Sequence, residues 1–379
     1  MDPKKKFFLF KQSRNFCSVP WNHFKIYTNG SVHTCVNGHE VLGNIHDQPI
    51  QDILNNPALV DIRRELAQDL RSSNCTLCQK LENTEDYSYK FLRDLYNPMF
   101  VKSTADYDNN HDFVLNGVDL HWGSTCNLKC ITCQAESSSA IAQELGQPIQ
   151  NVSGLAAEGA IDFMVKNQHT LKEIYLSGGE PTLIKHNLNL LRRLRHDLDF
   201  VIRINTNMTF ADDNPIIAEL KKFPKVLVTI SADALTNRFD YIRRGADWSV
   251  FMHNLEQLKK LHFNWRVNTV FFVATALHLP DTQEFFMDNF DIQDFTINQV
   301  SMGHTDIRCR NLPAALKPQV IERLQQHQEK HKLNLNLHGQ LKNCLDEVQQ
   351  ESTESYVPFF ESVDARAGTN WRDTFAELV

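Results

Sequence analysis

The chain has 379 residues, of which 42% are hydrophobic and 22% are charged, a composition typical of a globular protein with a sizeable core. Its formal net charge is −7, from 39 basic and 46 acidic side chains, which argues against a large nucleic-acid footprint but not against a small basic patch. The apolar run at residues 7–10 is too short for a signal peptide or a membrane span, so we expect a cytoplasmic protein with no membrane partner.

Residues 1–105 predict a small module that carries cysteines. Residues 24–27 and 31–35 are strand-like, and the Asn29-Gly30 pair between them is a strong signal for a β-hairpin. A helix is expected at 50–70, with Cys75 and Cys78 after it. The polar segment 102–112 is predicted to be a linker to the next domain.

Residues 113–305 alternate between strand-like and helix-like segments. Six strands are predicted at 118–123, 173–177, 200–205, 225–231, 265–274 and 295–300, and helices at 152–167, 184–197, 213–223, 248–262 and 281–289. This alternation predicts an α/β domain with a parallel sheet and right-handed crossovers, which a doubly wound sheet and a (β/α) barrel would both satisfy.

Residues 306–379 predict a helical C-terminal extension. Helices are expected at 314–331 and 339–350, followed by an aromatic tail. The sixteen histidines show no HExxH motif, and we interpret them as having no paired spacing that would indicate a histidine metal site.

The cysteines carry the strongest chemical signal. Cys126, Cys130 and Cys133 form a C-x3-C-x2-C pattern directly after a predicted strand. Three thiolates can hold three irons of a [4Fe–4S] cube and leave the fourth iron open to a chelating ligand. Zinc usually takes four ligands, often as two C-x2-C pairs, so the pattern favours the cluster over a zinc site.

A second motif, Ser177-Gly178-Gly179-Glu180-Pro181, follows the next predicted strand. Its glycines allow the backbone to approach a ligand closely, although a tight loop between strand and helix would use the same residues. Together the two motifs resemble the radical S-adenosylmethionine (SAM) superfamily. The resemblance implies a partial (β/α)6 barrel of the TIM type, with the active site at the carboxyl ends of its strands.

The same resemblance implies which residues contact SAM. Ser177, Gly178, Gly179 and Glu180 would fix the methionine moiety, and Glu180 would accept a hydrogen bond from its amine. Polar groups at later strand ends, Asn207 and Ser231, would contact the ribose and carboxylate, although both types of residue also cap helices. Arg243, in the pattern Asp240-x-x-Arg243, would pair with the carboxylate of SAM.

The N-terminal cysteines form a second set. Cys17, Cys35, Cys75 and Cys78 offer four thiolates, which is full ligation for one [4Fe–4S] cube or for one zinc, with His33 and His39 nearby. The order of hairpin, helix and C-x2-C resembles the SPASM/Twitch module of radical SAM enzymes, which holds auxiliary [4Fe–4S] clusters. That module usually follows the barrel, whereas here it precedes it. Cys309 and Cys344 are predicted to be ordinary thiols.

The resemblance implies an oxidoreductase-like enzyme, although the sequence identifies no catalytic acid or base. An external electron donor, similar to flavodoxin or ferredoxin, would reduce the cluster, and SAM would be cleaved to a 5′-deoxyadenosyl radical that abstracts hydrogen from a substrate. A peptide or protein side chain is the leading substrate. The alternatives are a small molecule or nucleoside as substrate, or a non-catalytic iron–sulfur or zinc protein.

Overall fold

A computed structural model describes residues 15–76, 78, 112–300 and 302–379 of the chain. The chain divides into two compact units. Unit 1 consists of the chain up to Cys126, together with Glu136–Ile204 and Asp213–Val226; unit 2 consists of Asn127–Ala135, Asn205–Asp212 and Leu227–Val379. The predicted linker at 102–112 lies outside the described residues except for Asp112, and so does the predicted end of the first domain at residue 105.

The described strands belong to one nine-stranded sheet of order β3-β2-β1-β4-β5-β6-β7-β8-β9. The hairpin strands β1, β2 and β3 pair antiparallel, and the pairs β1/β4, β4/β5, β5/β6, β7/β8 and β8/β9 are parallel. The strands are β1 His23–Ile26, β2 Ser31–His33, β3 Gly43–Asn44, β4 Gly117–Leu120, β5 Glu173–Leu176, β6 Val201–Thr206, β7 Val226–Ser231, β8 Asn264–Phe271 and β9 Phe295–Gln299.

Helices separate the parallel strands, which confirms the predicted α/β class with a helical C-terminus. The α-helices of the described residues are α1 Val19–Asn22, α2 Ile50–Ile53, α3 Pro57–Ala67, α4 Ser139–Glu144, α5 Gly154–Lys166, α6 Lys185–Arg193, α7 Pro215–Leu220, α8 Thr236–Ile242, α9 Trp248–Lys259, α10 Leu279–Phe290, α11 Lys317–Lys330, α12 Leu335–Gln349, α13 Val357–Ala367 and α14 Trp371–Thr374. Across the described part of the chain, no helix combines the length and apolar character that a membrane span requires.

The core of unit 1 follows from the alternation of side chains along its strands. Phe24, Val118, Ile174 and Ile202 align across β1, β4, β5 and β6, and all four side chains are fully buried. Burying each such side chain stabilises the fold by roughly 1.5–3 kcal/mol. Because neighbouring residues of a strand point to opposite faces, the residues next to this row lie on the other face of the sheet.

One predicted helix of unit 1 is interrupted. The segment 50–70 contains α2 and α3, and Asn56 with Pro57 separates them. The Asn56 side chain accepts a hydrogen bond from the Ala58 N–H, and a proline at the first helical position lacks the N–H that would otherwise need a partner. This pair therefore starts a new helix.

In unit 2 the C-terminal helices cover the strand at the edge of the sheet. The Gln340 side chain on α12 accepts from the Ile297 N–H of β9 at 2.6 Å and donates to the Phe295 carbonyl at 2.9 Å. These bonds replace the strand partner that an edge lacks. The aromatic tail, for which no individual helix was predicted, forms α13 and α14, where the Phe360 and Trp371 rings lie 5.4 Å apart.

Candidate cofactor and substrate site

The cysteine triad lies in the segment after β4. In unit 1, the Cys126 N–H donates to Ser139 Oγ at 3.0 Å, at the start of α4. In unit 2, the Cys133 N–H donates to the Cys130 carbonyl at 3.0 Å, so these two cysteines lie on one turn. All three thiols are half-buried. They are therefore neither sealed in the core nor fully open to solvent.

The turn of Cys130 is held by the chain after α8. The Lys129 N–H donates to the Arg244 carbonyl at 2.8 Å, and the Ile131 N–H donates to the Ile242 carbonyl at 2.9 Å. These two backbone bonds lie on either side of Cys130. They fix its position without using its side chain.

The Ser177–Pro181 motif packs against the chain directly before Cys126. The Gly179 N–H donates to the Gly123 carbonyl at 3.0 Å, and the Glu180 N–H donates to the Thr125 carbonyl at 2.7 Å. A Cβ on Gly179 would lie 2.3 Å from the Thr125 oxygen, and Gly178 adopts a φ of +123°. Both positions therefore require glycine, for close approach and for backbone conformation respectively.

Glu180 also has a local structural role. Its side chain is buried, and Oε1 accepts from the Thr182 N–H at 3.1 Å and from the Thr182 hydroxyl at 2.7 Å. It caps the short helical turn Pro181–Leu183. The contact with the SAM amine remains a prediction.

Arg243 contacts Cys130 of the triad. Its guanidinium forms a buried ion pair with Asp233 at 2.9 Å, and its Nη1 donates to Cys130 Sγ at 3.9 Å. The Arg243 side chain therefore joins Asp233 to the segment that carries Cys130. Asp240, the other end of the Asp-x-x-Arg pattern, instead accepts from the Trp248 N–H at 2.8 Å.

Asn207 contacts Asn127, the residue that follows Cys126 in the sequence. Its Nδ2 donates to Asn127 Oδ1 at 3.0 Å, and its Oδ1 accepts from the Thr209 N–H. Ser231, half-buried, ends β7. For Asn207 and Arg243 the structure gives local partners, and the contacts of Asn207, Ser231 and Arg243 with SAM stay predictions.

The four N-terminal cysteines are brought together within unit 1. Burial raises the pKa of the Cys17 thiol well above its usual value, and the neighbouring Cys75, Cys35 and Cys78 raise it further. Burial likewise raises the pKa of Cys35, with Cys78 adding to the effect. Thiolates held this close together repel one another, which opposes loss of the thiol protons. A bound cation would offset that repulsion, so this set of cysteines fits a metal ion or a cluster.

Two polar side chains support this cysteine quartet. Asn37 Nδ2 donates to Cys78 Sγ at 3.5 Å, and the Thr34 hydroxyl donates to Cys35 Sγ at 3.9 Å. Hydrogen bonds of this kind stabilise a thiolate. His33 is engaged elsewhere, with Nδ1 3.1 Å from the Gly38 carbonyl and Nε2 3.4 Å from Ser31 Oγ, so it does not join the quartet as a ligand.

A charged row lies on the sheet face opposite the apolar row. Lys25 aligns with Asp119, Asp119 with Tyr175, and Tyr175 with Arg203. Lys25 Nζ donates to Asp119 Oδ2 at 2.6 Å, and both side chains are less than a tenth exposed. The Arg203 guanidinium lies 4.7 Å from the centroid of the Tyr175 ring. Burial of charge on this scale is costly unless it is paired.

Further polar side chains extend this row at the carboxyl ends of the strands. The Ser177 hydroxyl donates to Asp119 Oδ1 at 2.8 Å, and Lys25 Nζ lies 4.8 Å from the centroid of the Tyr27 ring. The Tyr27 and His33 rings are 4.9 Å apart. We refer to Lys25, Tyr27, His33, Asp119, His121 and Ser177 as the polar cluster.

Tyr27 and His121 are both neutral at pH 7. Burial raises the pKa of Tyr27 to about 12, with contributions from Asp119 and Cys35. Burial and the nearby Lys25 lower the pKa of His121 to about 4. Within the described residues, the buried Nε2 of His121 finds no hydrogen-bond partner. The polar cluster thus contains Ser177 of the glycine motif, and its Tyr27 has a pKa that Cys35 of the quartet helps to raise.

The sequence analysis missed the polar cluster, although a signal was present. Lys25 and Tyr27, Asp119 and His121, and Tyr175 alternate with apolar residues in or next to strands that otherwise read as buried. Period-2 polar residues on neighbouring parallel strands indicate a lined interior face. Cys309 and Cys344 are buried, and burial raises the pKa of both thiols, as expected of ordinary core cysteines.

Two family models match the chain. One describes the radical SAM superfamily and matches residues 121–285; the other, SPASM, describes an iron–sulfur cluster-binding domain and matches residues 17–80. The predicted resemblance is confirmed. The cofactors are a [4Fe–4S] cluster and SAM at the radical SAM domain, and an auxiliary iron–sulfur cluster at the SPASM domain. No curated protein matches the sequence.

Solved structures with partial similarity include anSMEcpe with bound AdoMet and a peptide, at 20% identity and a TM-score of 0.43, covering 57% of this chain and 60% of that one. SuiB from Streptococcus suis bound to S-adenosylmethionine is 16% identical with a TM-score of 0.41, covering 83% and 70%. TYW1 with a lysine-pyruvate adduct is 16% identical with a TM-score of 0.35, covering 54% and 70%. This chain thus spans about 60% of anSMEcpe.

Proposed function

We propose that this radical SAM enzyme with a SPASM domain abstracts hydrogen from a side chain of a peptide or protein. The observation that carries the proposal is the polar cluster, because Ser177 belongs to the glycine motif while Tyr27 responds electrostatically to Cys35 of the quartet. A substrate seated on this cluster would lie beside residues of both cofactor sites within one unit of the fold.

The domain limits belong to the proposal. Residues 1–105 form the auxiliary cluster module, 113–305 the radical SAM domain and 306–379 the helical extension. Cys126, Cys130 and Cys133 hold the SAM-binding cluster, and Cys17, Cys35, Cys75 and Cys78 hold the auxiliary cluster. We assign the auxiliary site to iron and sulfur rather than zinc, because the family model that matches residues 17–80 describes an iron–sulfur cluster-binding domain.

Cys126, Cys130 and Cys133 would hold a cluster that, when bound and reduced, would supply one electron for the cleavage of SAM to methionine and a 5′-deoxyadenosyl radical, and that radical would take a hydrogen atom from a substrate carbon. In the proposal, Ser177, Gly178, Gly179 and Glu180 hold the methionine moiety, with Asn207, Ser231 and Arg243 at the ribose and carboxylate. The close contact of Gly179 with the Thr125 backbone fixes the glycine motif beside Cys126.

The polar cluster positions the substrate. Peptide groups and polar side chains offer hydrogen-bond donors and acceptors, and the neutral Tyr27 hydroxyl and the unpartnered His121 Nε2 can bond to either kind. Asp119 is held by Lys25 and Ser177, so it keeps its orientation when substrate arrives. Low exposure strengthens each of these interactions.

An external donor similar to flavodoxin or ferredoxin is proposed as the source of the electron. We also place the protein in the cytoplasm, because none of its nine cysteines is paired in a disulfide and thiol ligands for clusters need a reducing compartment.

The test uses anaerobically reconstituted enzyme, reduced with dithionite, and a candidate peptide encoded beside the gene, deuterated at its side chains. The expected result is 5′-deoxyadenosine that carries one deuterium, detected by mass spectrometry. The variant with Cys126, Cys130 and Cys133 all changed to alanine should form none.

Two outcomes would overturn parts of the proposal. If the cluster-loaded enzyme binds SAM but never cleaves it, the chain is a binding protein. If SAM cleavage is accelerated by a small molecule or nucleoside, and by no peptide, the substrate class is wrong while the chemistry stands.

The polar cluster has its own test. Tyr27→Phe removes one hydroxyl and leaves the ring that packs on His33, so the fold should persist. We expect 5′-deoxyadenosine formation without substrate to continue and product formation to fall. As a matched control, Tyr356→Phe removes a hydroxyl that donates to the Leu378 carbonyl in unit 2, and it should leave product formation unchanged.

A further inference from the structure

Three ligand-type side chains converge in unit 2, on helices that the proposed chemistry does not use. His327 lies on α11 and His331 follows the last residue of that helix, four positions on, while Glu284 lies on α10. Residues four apart share one helix face. The prediction that the histidines have no paired spacing was therefore wrong, because the pair His327 and His331 was overlooked.

The donor atoms of the three residues are close together. His327 Nδ1 lies 3.1 Å from Glu284 Oε1, and His331 Nε2 lies 2.8 Å from the same oxygen. One nitrogen or oxygen donor from each of the three residues lies within 4.8 Å of the others. In a tetrahedral zinc site with bonds near 2.0–2.1 Å, neighbouring donors are about 3.3 Å apart. If the distances between these donor atoms increased by a few tenths of an ångström, the ion would fit between them.

The protonation of His327 suits a metal ligand. Its side chain is buried, and its Nε2 lies 2.8 Å from Gln283 Oε1. If Nε2 carries the proton for this bond, a neutral ring directs the lone pair of Nδ1 towards Glu284. In that tautomer His327 Nδ1 and Glu284 Oε1, which lie 3.1 Å apart, have no proton between them, and a cation placed there would bind both atoms.

We propose that Glu284, His327 and His331 bind a divalent transition-metal ion of the zinc type. Two imidazoles and one carboxylate are a donor set that zinc commonly uses when a water completes the tetrahedron. Gln283 supports His327 from behind, as outer ligands do in metal sites. The ion ties α10 to α11 and is separate from both cysteine sets.

Lys330 does not prevent this binding. Its Nζ lies 2.7 Å from Glu284 Oε2, the oxygen that the histidines do not contact. The lysine side chain is 62% exposed, so it can turn to solvent at little cost when the ion arrives. Alternatively it stays on Oε2 while Oε1 binds the ion.

The experiment uses the reconstituted holoprotein, so that the cysteines are already occupied. After chelation of loosely bound metal, Co²⁺ is added and the visible d–d bands are recorded, then Zn²⁺ is added as competitor. We expect one tetrahedral cobalt per chain without sulfur-to-cobalt charge-transfer bands, displaced by one equivalent of zinc.

The variants identify the ligands. His331→Ala and Glu284→Gln should abolish the cobalt spectrum and the zinc-dependent rise in melting temperature, and Gln283→Leu should weaken zinc binding about 10–100-fold. The matched control is His253→Ala, because His253 Nε2 lies 3.0 Å from Asp212 Oδ1 and the described residues offer no third donor there. It should bind cobalt like the wild type.

A cobalt spectrum that persists in His331→Ala and Glu284→Gln would overturn the proposal. So would a wild-type holoprotein that takes up no more cobalt or zinc than these two variants, because the three side chains would then form a plain hydrogen-bonded cluster. Iron content and SAM cleavage should be the same in all variants, so failure of this proposal and failure of the proposed enzyme chemistry can be distinguished.

Discussion

Replacing Gly179 by alanine tests the contact between the glycine motif and the triad segment. The added Cβ would lie 2.3 Å from the Thr125 oxygen and 2.6 Å from the Ser124 oxygen, both of them backbone atoms. Carbon and oxygen come no closer than about 3.3 Å in favourable contacts, so the two chain segments must separate by about 1 Å. The segment that moves leads directly into Cys126.

The magnitude follows from two losses. Overpacking costs about 1–3 kcal/mol, and loss of the 2.7 Å bond from the Glu180 N–H to the Thr125 carbonyl costs about 0.5–1.5 kcal/mol. We therefore expect Gly179→Ala to lower the free energy of unfolding by about 2–4 kcal/mol. A displacement of about 1 Å at the ligand also lowers the rate of SAM cleavage on the order of 100-fold.

The assay pairs urea unfolding with anaerobic measurement of 5′-deoxyadenosine. Gly159→Ala is the control, because Gly159 lies on α5, is exposed and has no atom within 4 Å of an added Cβ. Alanine in a helix interior should stabilise by about 0.5–1 kcal/mol and leave SAM cleavage unchanged. A Gly179→Ala enzyme with wild-type stability, SAM affinity and cleavage rate would refute the close packing described at this site.

Three further predictions concern the cysteine quartet and the polar cluster. Wild-type enzyme should hold about eight irons, and the double variant Cys75→Ala/Cys78→Ala should lose about four of them. This variant should still cleave SAM but form no product. Four irons with one zinc in the wild type would contradict the prediction. Asp119→Ala should destabilise by about 3–5 kcal/mol by leaving Lys25 buried without its partner, whereas Lys25→Met with Asp119→Leu should recover most of the loss, measured by urea unfolding. The pKa of His121 is about 4 in the folded protein and ordinarily 6.5, so between these values the unfolded chain binds more protons and stability falls as pH is lowered. Between pH 7 and pH 5.5, the free energy of unfolding of His121→Gln should fall by about 1 kcal/mol less than that of the wild type. Equal falls would show that His121 is solvated.

Local patterns in the sequence predicted the elements of the fold with small errors at their ends. The strand predicted at 173–177 is Glu173–Leu176, and the helix predicted at 248–262 is Trp248–Lys259. Such segments are set by side-chain alternation and by nearby capping residues, which neighbouring positions in the chain supply. The break at Asn56 was missed although Asn56 and Pro57 are a local signal for a helix start. The helices α13 and α14 were missed because they depend on rings packed together from separate parts of the tail.

The cysteine motifs and the glycine motif could be predicted from the sequence because their chemistry depends on spacing along the chain. The packing of Gly179 against Thr125 could not be predicted from the sequence, although the glycines suggested a close approach to some partner. Which atom a glycine approaches depends on two loops that are more than fifty residues apart. The ion pair of Arg243 with Asp233, rather than a role for Asp240, likewise required the folded chain.

The sequence by itself thus determined the class of the protein, its two cofactor sets and the order of its strands along the chain. Only the tertiary structure showed that β1 pairs with β4, so that the hairpin of the cysteine module continues the same sheet. That pairing places Lys25 beside Asp119 and creates the polar cluster. It joins residues 94 positions apart, and no local preference of the chain specifies which strands become neighbours.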